Sequence, residues 1–144
     1  MSDIRWKQRF QNYRRAFGLL REALGDKNLE EYSDLEQEGI IQRFEYTFEL
    51  CWKTFKDYLE FSGVKLTEET PRKVIKECAA VNIFGEAEMN PEVFLEMMLA
   101  RNALSHTYDF EQFKQVIVQL KEQYFDELEK AYTYFISKEL SEDA

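Results

Sequence analysis

Histidine is nearly absent from this sequence of 144 residues: one, His106, stands beside 28 aspartates and glutamates. A metal centre built on two histidines is therefore excluded. There are two cysteines, Cys51 and Cys78, too few for a disulfide framework and without the paired spacing of a zinc site. Both fall in apolar-periodic segments, where a free thiol behaves as a small hydrophobe. Two prolines and five glycines leave few breaks, which favours long helices. No apolar run approaches the roughly 20 residues needed to span a bilayer, and the start, Met1 to Trp6, lacks the apolar core of a signal peptide. The expected location is cytoplasmic. A Gly-rich phosphate loop and an acidic metal dyad are also missing, so nucleotide transfer by this chain alone is not expected.

What is present is a well-supplied core. Hydrophobic residues make up 44% and aromatics 15%, enough to rule out a disordered chain. The length is that of one domain, in which about 70% of the unfolded surface is buried on folding. Charge is uneven. The net is −9, yet Arg5, Lys7, Arg9, Arg14, Arg15 and Arg21 face only Asp3 within the first 21 residues. The rest of the chain is correspondingly more acidic, which excludes nucleic-acid binding by bulk electrostatics and leaves only a local site for it.

Apolar periodicity defines the elements. Phe10, Tyr13, Phe17, Leu20 and Leu24 form one stripe of a helix over 4–24, closed by Gly25. Asn28 to Asp34 reads as a loop or short turn. Ile41, Phe44, Phe48, Cys51, Phe55 and Tyr58 mark a helix over 38–61, ended by Ser62-Gly63. Thr70-Pro71 opens a short helix that runs out near Asn82 to Gly85, and Asn90-Pro91 repeats the signal for a helix fraying around Thr107 to Asp109. A last helix spans about 110 to 138. The expected fold is all-α: an antiparallel up-and-down four-helix bundle with 70–80 as an accessory helix, one domain over 1–144, and 139–144 as a disordered tail. Tyr132, Tyr134 and Phe135 exceed the evident needs of a small core and suggest a surface for self-association.

Chemistry concentrates near the end of the helix opened by Asn90-Pro91. Asn102 and His106 lie about 40° apart on a helix, and Arg101 lies two turns before Tyr108. Together they offer a fixed cation, an amide, an imidazole and a phenol. These could support metal-free phosphodiester cleavage, with the imidazole moving a proton and the guanidinium stabilising developing charge. On spacing alone, the simpler account is ahead: histidine suits a helix C-terminus, and arginine pairs with acidic neighbours. Glu45, Glu49, Trp52 and Lys56 follow one edge of the 38–61 helix. They read either as a cleft wall or as an ordinary boundary with intrahelical pairs such as Glu49–Lys53. Lys7, Arg14 and Arg21 form a basic stripe best read as a solvated face.

The run Glu38-Gly39-Ile40-Ile41-Gln42-Arg43-Phe44-Glu45-Tyr46-Thr47-Phe48-Glu49-Leu50-Cys51-Trp52-Lys53 resembles the signature helix of the nucleotidyltransferase substrate-binding protein family. Thr70 to Glu77 and Arg101 to Asp109 resemble its second and third blocks, in order. Phe94 departs from the tryptophan frequent in relatives, a change expected to affect packing more than chemistry. The family is similar to the HEPN superfamily of helical bundles, which commonly dimerise. The resemblance implies a substrate-binding or regulatory subunit of a two-component minimal nucleotidyltransferase. The separately encoded partner would use a nucleoside triphosphate and Mg, this chain would hold no cofactor or metal, and a homodimer would join the partner in a heterotetramer. Substrate or nucleotide would meet Arg101, Asn102, His106, Tyr108, Glu45, Glu49 and Trp52. The alternative it implies is a HEPN ribonuclease of a toxin–antitoxin pair. Arg101 and His106 would then be catalytic, and adenylylation of Tyr108 would silence the activity.

Overall fold

The computed structural model describes residues 4–104 and 108–143, with side chains described as far as 141. It is all-α: 83% helical, with no strand among the described residues. Nor is any helix among them long and apolar enough to cross a membrane.

Helix α1, Arg5–Leu24, buries Trp6, Phe10, Tyr13, Phe17, Leu20 and Leu24 along one stripe. It stops at Gly25, whose φ of 50° suits a residue without a Cβ and whose N–H donates to the Arg21 carbonyl. After a short 3-10 turn at Leu29–Glu31, α2 runs from Asp34 to Phe61. Its start precedes the expected residue 38 because Ser33 and Glu36 form a capping box. The Glu36 N–H donates to Ser33 Oγ, and the Ser33 N–H donates to Glu36 Oε1. Helix α3, Pro71–Ala80, begins where Thr70-Pro71 places it, with Thr70 Oγ1 accepting from the Lys73 N–H.

The segment expected to run out after Asn82 instead forms another short helix, α4, Ile83–Ala87. Asn82 and Glu88 bracket it in left-handed conformations, and Phe84 drops from it onto Phe55 and Phe94. Helix α5, Pro91–Leu104, follows; the expected fraying around Thr107 lies partly outside the described residues. Helix α6, Phe110–Gln119, and α7, Phe125–Asp143, are joined without a break by a π-helical turn at Leu120–Tyr124. The helix thus continues through 139–143, beyond the end expected near 138.

Aromatic side chains knit these helices together. Trp6 and Phe10 of α1 meet Phe135 of α7, and Phe17 stacks on Phe125 at 4.9 Å. Phe55 of α2 lies 4.6 Å from Phe135 and also meets Phe94 of α5. Each such pair adds about 0.5–1.5 kcal/mol beyond burial alone. This corrects one expectation. Tyr134 and Phe135 are buried within the chain, and Tyr132 rests on Phe10 and Phe17, so the apparent aromatic surplus fills this core and is no argument for self-association. The basic stripe is not simply solvated either. Lys7, Arg14 and Arg21 lie over the rings of Trp6, Tyr132 and Phe17, and Arg21 also pairs with Glu129.

Candidate functional site

The capping box at Ser33 fixes where α2 starts and hence the direction in which its edge residues point. Glu45, Glu49 and Trp52 follow at helical spacing on the edge facing the C-terminal end of α5. There the Arg101 guanidinium stands 2.8 Å from Glu49 Oε2. The same oxygen accepts a hydrogen bond from Trp52 Nε1 at 3.1 Å, while Lys53 Nζ lies 3.0 Å from Oε1. One carboxylate therefore holds an arginine from the neighbouring helix, an indole and a lysine. Burial alone would push the Glu49 carboxyl up, but Lys53, Trp52 and Arg101 outweigh it and hold the group below the usual range.

Glu45, one turn earlier, behaves oppositely. Partial burial raises its carboxyl, and the Arg101 charge only partly offsets this. The site therefore contains two carboxylates with opposed tendencies, an arginine one-third exposed, and a nearly buried indole. Such a group favours an anionic or planar ligand: a guanidinium can take phosphate or carboxylate in two parallel hydrogen bonds, and an indole edge adds apolar contact. Among the described residues, no group of three or more His, Cys, Asp or Glu is placed to hold a metal ion.

The remaining expected site residues are placed as follows. Asn102 is exposed on α5, next to Arg101. Tyr108 is 72% exposed and outside the Glu49 cluster; its ring meets Phe110 and Phe113 edge-on at 5.7 Å. Asp109 caps α6 by accepting from the Glu111 N–H, so Tyr108 against Phe113 is a hydrophobic staple at that helix start. His106 lies outside the described residues. Lys56 turns away from Arg101, towards Asp57, Glu60 and Glu69.

Sequence patterns give no sign of a second polar cluster. Tyr124, in the π-helical turn, donates to Glu96 of α5 at 3.1 Å, and Gln123 Nε2 donates to the same oxygen at 2.7 Å. Burial and the Glu96 charge push the Tyr124 phenol well above its ordinary range. A π turn has no local sequence signature, although such turns recur near functional sites.

Comparison with known proteins places these features in a family. The chain matches the family described as "Nucleotidyltransferase substrate binding protein like" over residues 8–136, a span holding all of α2, the Arg101 cluster and Tyr108. It is also similar to a crystal structure from Thermus thermophilus, with a TM-score of 0.69, 28% identity, and coverage of 83% of this chain and 94% of that one. No curated protein matches. A family match running through nearly every helix is decisive: the chain belongs to the nucleotidyltransferase substrate-binding protein-like family.

Proposed function

We propose that this chain is the non-catalytic substrate-binding and regulatory subunit of a two-component minimal nucleotidyltransferase. A separately encoded chain would bind the nucleoside triphosphate with Mg²⁺ and carry out the transfer. The observation carrying this reading is the family match over residues 8–136; the Arg101–Glu49–Trp52 cluster supplies the binding chemistry. In this reading the phosphate or acceptor group displaces Glu49 from Arg101, and Asn102, His106 and Tyr108 are proposed as further contacts.

The architecture we infer is an antiparallel up-and-down bundle of α1, α2, α5 and the continuous α6–α7 helix, with α3 and α4 as accessory pieces. Contact order supports it. Along α1, residues 6, 9 and 19 meet 58, 57 and 43 of α2. Residues 6, 13 and 17 of α1 meet 135, 128 and 125 of α7. Both partner series descend as α1 ascends. We also infer a cytoplasmic homodimer that binds its partner as a heterotetramer; Leu99, 56% exposed on α5, is an apolar contact available to the dimer.

One observation favours a second reading, the HEPN ribonuclease. Tyr108 is exposed and outside the Arg101 cluster, hence open to adenylylation, and the added AMP would bring bulk and negative charge to the start of α6. Titrating ATP–Mg²⁺ into a mixture of this chain and a minimal nucleotidyltransferase from the same genome separates the readings. The subunit reading expects binding weakened about tenfold in Arg101→Ala. RNA cleavage in EDTA by the unmodified chain alone, abolished in His106→Ala, would establish the ribonuclease instead.

A further inference from the structure

A second surface, where α2 faces α1, has features that the fold itself does not require. Between α1 and α2 runs an open groove of about 500 Å³ lined by Ala16, Leu19, Gly39, Gln42, Arg43 and Tyr46. Leu19 is 41% and Tyr46 60% exposed, so apolar side chains flank it from both helices. Leu35, 77% exposed, continues the α2 stripe one turn before Gly39.

Gly39 is the informative residue. Glycine inside a helix is poorly favoured compared with alanine, and internal packing does not call for one here: a Cβ at this position would meet nothing within 4 Å. A missing side chain with open space opposite it allows the backbone of something outside the chain to approach closely.

Charge indicates what approaches. Arg43 has its guanidinium at the groove, donating to the Leu19 carbonyl at 2.7 Å. Among the described residues it meets no carboxylate. Nor does Arg15, exposed on α1 one turn before Leu19. Among the described residues Lys65, Arg72 and Lys76 likewise form no ion pair and lie over no ring; Arg43 and Arg15 are set apart by flanking an apolar groove. Two arginines over an apolar floor are too few for a nucleic-acid backbone, which needs many phosphate contacts, but they suit the carboxylates flanking an apolar helix face.

We propose that this groove docks an amphipathic helix of the nucleotidyltransferase chain, with its apolar face on Leu19 and Tyr46, its backbone close over Gly39, and acidic residues against Arg43 and Arg15. The proposal rests on the two-chain reading above and assigns the partner contact to a surface separate from the Arg101 site.

The test is a titration of labelled minimal nucleotidyltransferase into wild type, Gly39→Leu and Arg43→Glu at low and high salt. Gly39→Leu is expected to melt no lower than wild type, because its Cβ meets nothing within 4 Å, yet to weaken the complex about tenfold or more. Arg43→Glu is expected to weaken it similarly and to reduce its salt dependence, while Arg101→Ala leaves the complex intact. A complex equally tight in wild type and both groove variants overturns the groove assignment and leaves the two-chain reading standing. No complex with wild type overturns both. If the groove variants instead dissociate a dimer of this chain, or abolish binding of a short RNA without affecting the complex, the occupant is a second copy or an RNA and the proposal fails.

Discussion

The Arg101 guanidinium on α5 stands 2.8 Å from the Glu49 carboxylate on α2, and this ion pair both ties two helices together and keeps the site's main cation occupied. A phosphate entering the cleft must compete with a carboxylate that is also held by Trp52 and Lys53. Removing that competitor has a defined consequence. Glu49→Gln is expected to tighten binding of inorganic phosphate or ATP, and Arg101→Ala to weaken it, by isothermal titration. Both ion-pair members are partly exposed, so each variant should cost only about 1 kcal/mol in urea unfolding after solvent screening.

Glu45 and Glu49 should respond to acid in opposite directions. Glu49 is held below its ordinary range, so its contribution to stability is present above the unfolded carboxylate pKa and lost as pH falls through the folded value. Glu45 is raised, so its charge costs stability at neutral pH, and that cost disappears as pH falls through the folded value towards the unfolded one. Melting temperatures at pH 7 should therefore rise in Glu45→Gln and fall in Glu49→Gln. Once the pH has fallen below the lowered folded value of Glu49, the two variants should converge on wild type.

Tyr108 combines a structural and an accessible role, and two substitutions separate them. Its ring staples the start of α6 against Phe113, so Tyr108→Ala is expected to cost about 0.5–1 kcal/mol, measured by chemical denaturation. Tyr108→Phe keeps the ring and should keep the stability. If the partner chain adenylylates this residue, intact-mass spectra after co-expression will show the adduct on wild type and not on Tyr108→Phe.

The buried carboxylate Asp57 accepts from Arg9 Nε at 3.0 Å, and its side chain is wholly shielded from solvent. Arg9→Ala removes the α1 partner and, among the described residues, leaves Lys56, 3.5 Å away. The expected loss is about 3 kcal/mol, larger than for any exposed ion pair in the chain. Thermal unfolding of Arg9→Ala beside Arg21→Ala provides the comparison, since Arg21 pairs with Glu129 at the surface.

Local signals in the sequence are reliable where the physics is local. Thr70-Pro71 and Asn90-Pro91 start helices because the cap and the fixed proline φ act within one turn. Ser33 and Glu36 carry the same kind of signal, but it precedes the apolar stripe that marks the helix. The π turn at Leu120–Tyr124 is not legible in this way, because it is associated with packing against distant residues: Tyr124 stacks on Phe44 and reaches Glu96. Tyr134 and Phe135 look superfluous in the sequence for a similar reason. Their partners, Phe55, Tyr58 and Trp6, lie far away along the chain. In the candidate site, the helical edge Glu45–Glu49–Trp52 and the intrahelical Glu49–Lys53 pair are legible from spacing. The bridge from Glu49 to Arg101 depends on how α2 and α5 pack and is not.

The central claim is that this chain works as one half of a two-chain nucleotidyltransferase, and sedimentation velocity of an equimolar mixture with a minimal nucleotidyltransferase from the same genome tests it most directly. The account predicts one faster-sedimenting species containing both chains, formed equally by wild type and Arg101→Ala. Two independent boundaries at low salt, each at the rate of its own chain, would contradict it.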